Sequence, residues 1–388
     1  MQYRMRLVVM ALAALLAACG DGDGPRTSAV RVAGDSLSDS GTFGFKATVQ
    51  GSSLADTRIW VDHVAEAAGV AVLCPRYVAP DPQANPDHVV PDPRPAAARC
   101  TSHAVVRARI NVPDGALGGD SSPFSIRRQL SDLAAAASYG PEELLLLDGG
   151  GNDLADLMRG YLTMGQDSGA AYLALLGELL TPAQVSAAGA AGQAGLAQAG
   201  ALYMAALANA FADQIAAQAL DQGARRVVLL NLPDLTRTPY FRLMLAGVEQ
   251  ASGQAAAAQV EAMATGWMQV FNSGLQARFV NEPRVAMVDF HAAMRLWTTP
   301  VVAGLPNLYG FTNTTDPACP PVGLDAMKLP TYFLGSCLGS ALSASPPAGA
   351  GPNWWMTYVF SDDFHGSPMT NRLMADLVLH QLRERGWL

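Results

Sequence analysis

Short runs of consecutive apolar residues alternate along this chain with longer stretches in which apolar positions recur every three or four residues. Ala29–Ala33, Glu143–Asp148, Arg226–Leu232 and Arg284–Phe290 read as core strands. Between them the spacing turns helical. Ile59–Ala68 stops at Gly69, and Ser125–Ala137 opens on Ser125 as an N-cap. Asp167–Leu220 is Ala-rich and broken by Gly and Pro, which predicts two or three packed helices. Gln254–Phe279 is an amphipathic helix, and Pro368–Arg385 is a closing one. Seven prolines between Cys74 and Asn111 forbid long regular elements there. That stretch is expected to be a surface excursion returning through a strand at Ala104–Ile110. Ala292–Trp354 shows little periodicity. Strands alternating with helices predict a parallel sheet covered on both faces, in one α/β domain with long loops over the strand ends.

Composition fits that picture. Of 388 residues, 50% are hydrophobic and 15% charged, which allows a sizeable core and excludes disorder. A net charge of -8 without any Lys/Arg run excludes a nucleic-acid partner. Arg4 and Arg6 precede an apolar run, Leu7–Ala18, that is too short to span a bilayer and has the layout of a secretion signal. It ends Leu16-Ala17-Ala18-Cys19-Gly20, which resembles a bacterial lipoprotein cleavage box with Cys19 as the lipidated residue. A plain signal peptide that contains a cysteine is the alternative. The expected organisation is therefore a signal over 1–18, a flexible tether over 19–28 and one α/β domain over 29–388. Gly20 resembles outer-membrane sorting, so the protein is expected to be exported: an outer-membrane lipoprotein anchored through Cys19, or periplasmic or secreted. Export permits disulfides. The four remaining cysteines allow three pairings. Cys74 with Cys100 and Cys319 with Cys337 is the simplest, because each closes one local loop.

The first strand runs into Gly34-Asp35-Ser36-Leu37-Ser38-Asp39-Ser40-Gly41. That places a hydroxyl where a strand's carboxyl end meets the next element, the crevice in which open α/β sheets bind ligands. Asp and Ser there are also ordinary N-caps. A nucleophilic serine needs a base, and histidine suits neutral pH. Of six histidines, His365 stands out in Ser361-Asp362-Asp363-Phe364-His365-Gly366, with Asp362 three residues before it and within reach of Nδ1. Asp363 is the second carboxylate to consider, and His291, after a strand end, the competing base. Asn152, in Gly149-Gly150-Gly151-Asn152-Asp153, offers a short neutral amide donor after an apolar strand.

These segments resemble, in chain order, the motifs of the GDSL (SGNH) hydrolases. The resemblance implies a three-layer α/β/α sandwich with a flavodoxin-like parallel sheet, the SGNH hydrolase fold, here with long loop insertions. It implies a serine carboxylester hydrolase, an esterase or lipase, with catalytic Ser36, Asp362 and His365. The oxyanion donors implied are the Ser36 N–H and the Asn152 amide. The family's second motif, Asn-x-x-x-Gly-Gly, supplies a further backbone donor, and here the chain departs from it. In Cys100–Asn111, Ser102 stands for Asn and Val106-Arg107 for the glycines. The donor is then the Arg107 N–H, or alternatively Gly119 in Gly118-Gly119-Asp120. The Arg107 side chain would crowd the pocket or bind an anionic group. No metal or organic cofactor is implied, and the expected partner is a small-molecule, lipid or glycan ester. The same triad also serves an acyltransferase, and the second-motif departure leaves room for a weakly active glycan- or lipid-binding lipoprotein. Asp87, His88 and Asp92 match no metal-ligand spacing. The late aromatics Trp297, Tyr309, Phe311, Tyr332, Trp354, Trp355 and Tyr358 are read either as pocket lining or as core packing.

Overall fold

The computed structural model describes residues 27–388 except 71, 114–116, 302–304 and 326. The signal segment, Cys19 and most of the tether lie outside the described residues. Four parallel strands, β1 (Ala29–Ala33), β2 (Glu143–Leu147), β3 (Arg226–Leu230) and β4 (Val285–Val288), pair in that order. Ala29 lies opposite Glu143, Leu144 opposite Arg226 and Val227 opposite Val285. Each strand is buried on both faces, which explains why its sequence is a continuous apolar run instead of an alternation.

The strand period of two divides these residues between two cores. Val30, Val32, Leu144, Leu146, Val228 and Leu230 face one side, where α1 (Trp60–Ala67), α9 (Phe290–Trp297) and α10 (Pro368–Glu384) cover them. Ala33, Leu145, Leu147, Val227, Leu229 and Val285 face the other. There they meet α2 (Ile126–Ala136), α3 (Gly151–Leu162), and a helical block of α4 (Ala170–Gly177), α5 (Pro182–Ala190) and α6 (Gly192–Ile215). The same layer holds α7 (Pro239–Ser252) and α8 (Gln254–Phe279). The result is a three-layer α/β/α sandwich. The Ser125 hydroxyl caps α2 by accepting the Arg128 N–H, as the sequence predicts.

Three readings need correction. No strand forms over 104–110. Instead residues 101–105 add to the free edge of β1: Val32 N–H donates to Thr101 O (3.0 Å), His103 N–H to Val32 O (2.8 Å) and Val105 N–H to Gly34 O (3.2 Å). The segment then turns away, because Val106 and Arg107 curl into a tight loop. This edge pairing completes the spatial order second-first-third-fourth-fifth of flavodoxin-like sheets. Helix α7 was not anticipated, although Thr238 caps it and Pro239 takes its first position. Helix α9 begins where the last strand was expected to continue, because Asp289 caps it through the Ala292 N–H.

Both local disulfides are present, Cys74–Cys100 and Cys319–Cys337. The long loop after β1 is tied to α1 by Lys46 Nζ and Asp62 Oδ2 at 2.8 Å, with side chains only 1% and 2% exposed. Among the described residues no helix is long and apolar enough to cross a membrane.

Candidate active site

The carboxyl end of β1 packs tightly against the carboxyl end of β2. A Cβ at Gly34 would overlap the Asp148 carboxylate, so only glycine fits. The Gly34 N–H donates to Gln129 Oε1 at 2.8 Å, from α2. Asp148 Oδ2 accepts the Asp35 N–H at 3.3 Å, and its other oxygen takes the Ser38 hydroxyl. Asp35 Oδ1 in turn accepts the Leu37 N–H at 3.0 Å. This buried lattice fixes the turn that carries Ser36, which is itself 6% exposed. Burial pushes Asp35 well above the ordinary carboxylate range, and the neighbouring Asp148 adds to the rise. Burial lifts Asp148 as well.

The imidazole arrives from the far end of the chain. Ser361 N–H donates to His365 O at 2.8 Å, closing a turn over 361–366. Within it Asp362 Oδ1 accepts the N–H groups of Phe364 (2.9 Å) and His365 (2.6 Å). The same carboxylate faces His365 Nδ1 at 2.8 and 3.0 Å. His365 Nε2 stands 2.7 Å from Ser36 Oγ. A proton on Nδ1, facing the carboxylate, leaves Nε2 as the acceptor for the hydroxyl. Burial works against the Asp362 charge, but the facing imidazole and the two N–H donors outweigh it and hold Asp362 below its ordinary value. Burial likewise disfavours the imidazolium, yet Asp362, with Asp363 and Asp35 nearby, outweighs it and raises His365. Asp363 makes no hydrogen bond to the ring. Burial and the Asp362 charge push it up to about 7.

Asn152 sits in the first turn of α3, which the left-handed Gly150 (φ 100°) lets start directly after β2. Its Nδ2 donates to Ala108 O at 3.0 Å and lies 3.5 Å from Asp35 Oδ2. Arg107 adopts φ 68°, a conformation that favours glycine. The position that the resemblance sets against a glycine thus has a glycine-like backbone. The loop is held from three sides. Asp39 Oδ2 accepts the Val106 N–H at 2.8 Å, Asp153 accepts the Ile110 (3.0 Å) and Asn111 (2.9 Å) N–H groups, and Asn152 takes the Ala108 carbonyl. Among the described residues neither the Ser36 N–H nor the Arg107 N–H meets an acceptor. The Arg107 guanidinium points outward to Asp87 at 2.8 Å and occupies no pocket beside Ser36. Gly119 lies elsewhere, in the turn before α2, where its carbonyl accepts the Ser122 N–H. The loop hydrogen-bonded to the Ser36 turn is the one carrying Arg107.

Sequence reasoning passed over Asp39, Asp148, Asp153 and Gln129. The first lies inside the serine motif and the third directly follows Asn152, so the signal was adjacency to a motif. Asp148 and Gln129 carried none, since their partners are 110 and 95 residues away.

The other histidines stand apart. His291 caps no hydroxyl, and its backbone N–H goes to Asn231 Oδ1 at 2.8 Å. His103 is buried in the edge segment against Tyr77, and burial depresses it to about 4. His380 pairs with Glu384 at 3.2 Å on the exposed face of α10. Asp87 and Asp92 bind arginines, and among the described residues no His/Cys/Asp/Glu group is arranged to hold a metal. The late aromatics are packing. Trp297 and Phe311 are buried with α9 and α10, and Tyr332, Trp354 and Trp355 close a small cluster around Cys319 and Cys337. A narrow apolar cavity of about 30 Å³ adjoins Ser36, walled by Leu37, Leu232, Leu235, Phe290, Met294 and Phe364.

The model of the family described as GDSL-like Lipase/Acylhydrolase matches residues 30–378, nearly the whole chain. A comparison with curated proteins returned no match.

Proposed function

Because the chain belongs to the GDSL-like Lipase/Acylhydrolase family, we propose that it is a serine carboxylester hydrolase acting through an acyl-serine intermediate, with Ser36 as nucleophile, His365 as base and Asp362 as the group that orients the base. The observation that carries this reading is the chain of contacts Asp362 Oδ2–His365 Nδ1 (2.8 Å) and His365 Nε2–Ser36 Oγ (2.7 Å).

In the first half-reaction Nε2 takes the Ser36 proton as Oγ attacks the ester carbonyl carbon. The carbonyl π electrons move onto oxygen, giving a tetrahedral oxyanion. The N–H groups of Ser36 and Arg107 and the Asn152 amide stabilise that charge. Collapse expels the alkoxide, which takes the Nε2 proton and leaves as alcohol. Water then repeats the sequence on the acyl-serine, with His365 again as base, and releases the carboxylic acid and the free hydroxyl. Asp362, held ionised by its donors, stabilises the transient imidazolium without itself taking the proton. Arg107 serves through its backbone, and a left-handed φ is what turns that N–H free of the loop's own hydrogen bonding.

The test is hydrolysis of nitrophenyl acetate and butyrate. Turnover is expected in the wild type and none above background in Ser36→Ala. Equal rates in the two proteins overturn the reading. We also propose export with Cys19 as the acylated residue. The two disulfides and the absence of a membrane-spanning helix among the described residues are compatible with it. Metabolic labelling with palmitate, lost in Cys19→Ser, tests the anchor.

A further inference from the structure

A fourth hold on the Arg107 loop comes from a side chain two residues further on. Arg109 folds back so that its Nη1 donates to the Arg107 carbonyl at 2.6 Å. Among the described residues no backbone N–H reaches that oxygen. Asp156 takes the rest of the guanidinium: Nε donates to Oδ2, and Nη2 donates to Oδ1 at 3.1 Å. Three nitrogens are thus engaged in one plane, which a guanidinium fork can do and an ammonium cannot. The side chains of the pair are only 15% and 29% exposed, so salt screens it less than a surface pair.

Asp156 lies on α3 one turn beyond Asn152, on the same face of the helix. Asn152 holds the Ala108 carbonyl at 3.0 Å, and Asp156, through Arg109, holds the Arg107 carbonyl. Two successive carbonyls of the loop are therefore referenced to one helical face. The Arg107 N–H lies between two fixed atoms. Before it, Asp39 holds the Val106 N–H at 2.8 Å; after it, Arg109 holds the Arg107 oxygen. Fixing both ends of the residue retains a φ of 68° that an arginine side chain disfavours.

The path of the chain at Arg109 has other supports. Its N–H donates to Phe124 O and its carbonyl accepts the Ile126 N–H, both at 2.8 Å. Asp153 separately holds the next two N–H groups. That leaves the guanidinium one task, orienting the peptide that follows the Arg107 N–H.

We propose that Arg109 is a positioning residue of the oxyanion site: its bridge from the Arg107 carbonyl to Asp156 sets the direction of the Arg107 N–H relative to the Asn152 amide. The proposal rests on the hydrolase reading and adds to it the ion pair that makes the two donors act as a unit. The tetrahedral oxyanion needs both donors at once, and the ground-state ester does not.

Arg109→Gln removes the fork and leaves the backbone contacts. On nitrophenyl acetate, kcat and kcat/KM are expected to fall together by about 10²-fold per mole of folded protein, as for an interaction made only in the transition state. Arg109→Lys is expected to fall as far, because an ammonium cannot hold the carbonyl and both carboxylate oxygens. Methylboronic acid, which adds to a serine hydroxyl to give a tetrahedral anion, is expected to inhibit Arg109→Gln less well by a comparable factor. Asp156→Asn loosens the guanidinium without removing it, and a fall of about ten-fold in kcat is expected. If Arg109→Gln is not recovered folded, Asp156→Asn decides alone. A kcat within about two-fold of the wild type, or a lower kcat with boronate inhibition unchanged, overturns the proposal. Wild-type turnover no faster than Ser36→Ala strikes instead at the hydrolase reading.

Discussion

Asp39 Oδ2 accepts the Val106 N–H at 2.8 Å, while its other oxygen accepts the Gly41 and Thr42 N–H groups at 2.8 Å. One carboxylate therefore sets the position of the Arg107 loop relative to the turn that carries Ser36. Asp39→Asn places an NH₂ where one of these donors now points. Turnover is expected to drop by about 10²-fold, the scale for spoiling one oxyanion donor, with KM little altered. Steady-state kinetics on a nitrophenyl ester separates this from a purely structural role, which would lower the amount of folded enzyme and leave its kcat alone.

Arg107 tests the backbone claim from the other side. If only its N–H matters, Arg107→Gly keeps full turnover, since glycine takes φ 68° without strain. Arg107→Val is expected to lose both activity and stability, because a β-branched residue is a poor fit to the left-handed region. Reversal of this order, with glycine inactive and valine active, assigns the role to the side chain.

Asp362→Asn keeps the size of the group but not its charge. It is expected to cut kcat by about 10⁴-fold, because an amide permits the wrong tautomer of His365. A loss smaller than ten-fold in kcat, measured on folded protein, gives the orienting role to another group.

The carboxylates around His365 raise it above its ordinary value. As the proposed base, His365 must be neutral, so kcat/KM is expected to fall on the acid side through a pKa above the usual imidazole value of about 6.5. Asp363 contributes to that rise, and Asp363→Asn removes the contribution. The acid limb of the variant is expected to lie at lower pH than that of the wild type. A limb that stays put, or moves up, contradicts the electrostatic account.

Lys46 and Asp62 form an ion pair with almost no solvent around it. Lys46→Met strands a buried carboxylate and is expected to cost about 3–5 kcal/mol in urea unfolding. Adding Asp62→Leu removes the stranded charge and is expected to recover most of that loss. Equal stability of the single and double variants speaks against a buried, unpaired Asp62.

The sheet was legible because strands buried on both faces leave unbroken apolar runs, as Glu143–Leu147 and Arg226–Leu230 do. The proposed site could be read in pieces, since Ser36, Asn152 and the Asp362–His365 pair each follow a recognisable local pattern. What escaped was whatever depends on partners distant in the chain. The segment after Cys100 looks like a strand by composition, yet only five residues find the β1 edge before Asp39 pulls Val106 aside. Helix α7 was hidden because its inward face is sparse, with only Pro239, Phe241 and Met244 buried along its 14 residues. Arg107, which the resemblance sets against a family glycine, adopts φ 68°, and neighbouring carboxylates hold the loop that carries it.

Each sulfur cross-link stands one step from a contact that builds this centre. Cys100 directly precedes Thr101, whose carbonyl receives the Val32 N–H, and the Cys319 N–H donates to Ser361 O at 2.8 Å, beside Asp362. The bridges span 26 and 18 positions, and closing loops of that size stabilises a fold by about 3 kcal/mol each. Each bridge thus braces one of the two segments, 101–105 and 361–366, that border the proposed centre.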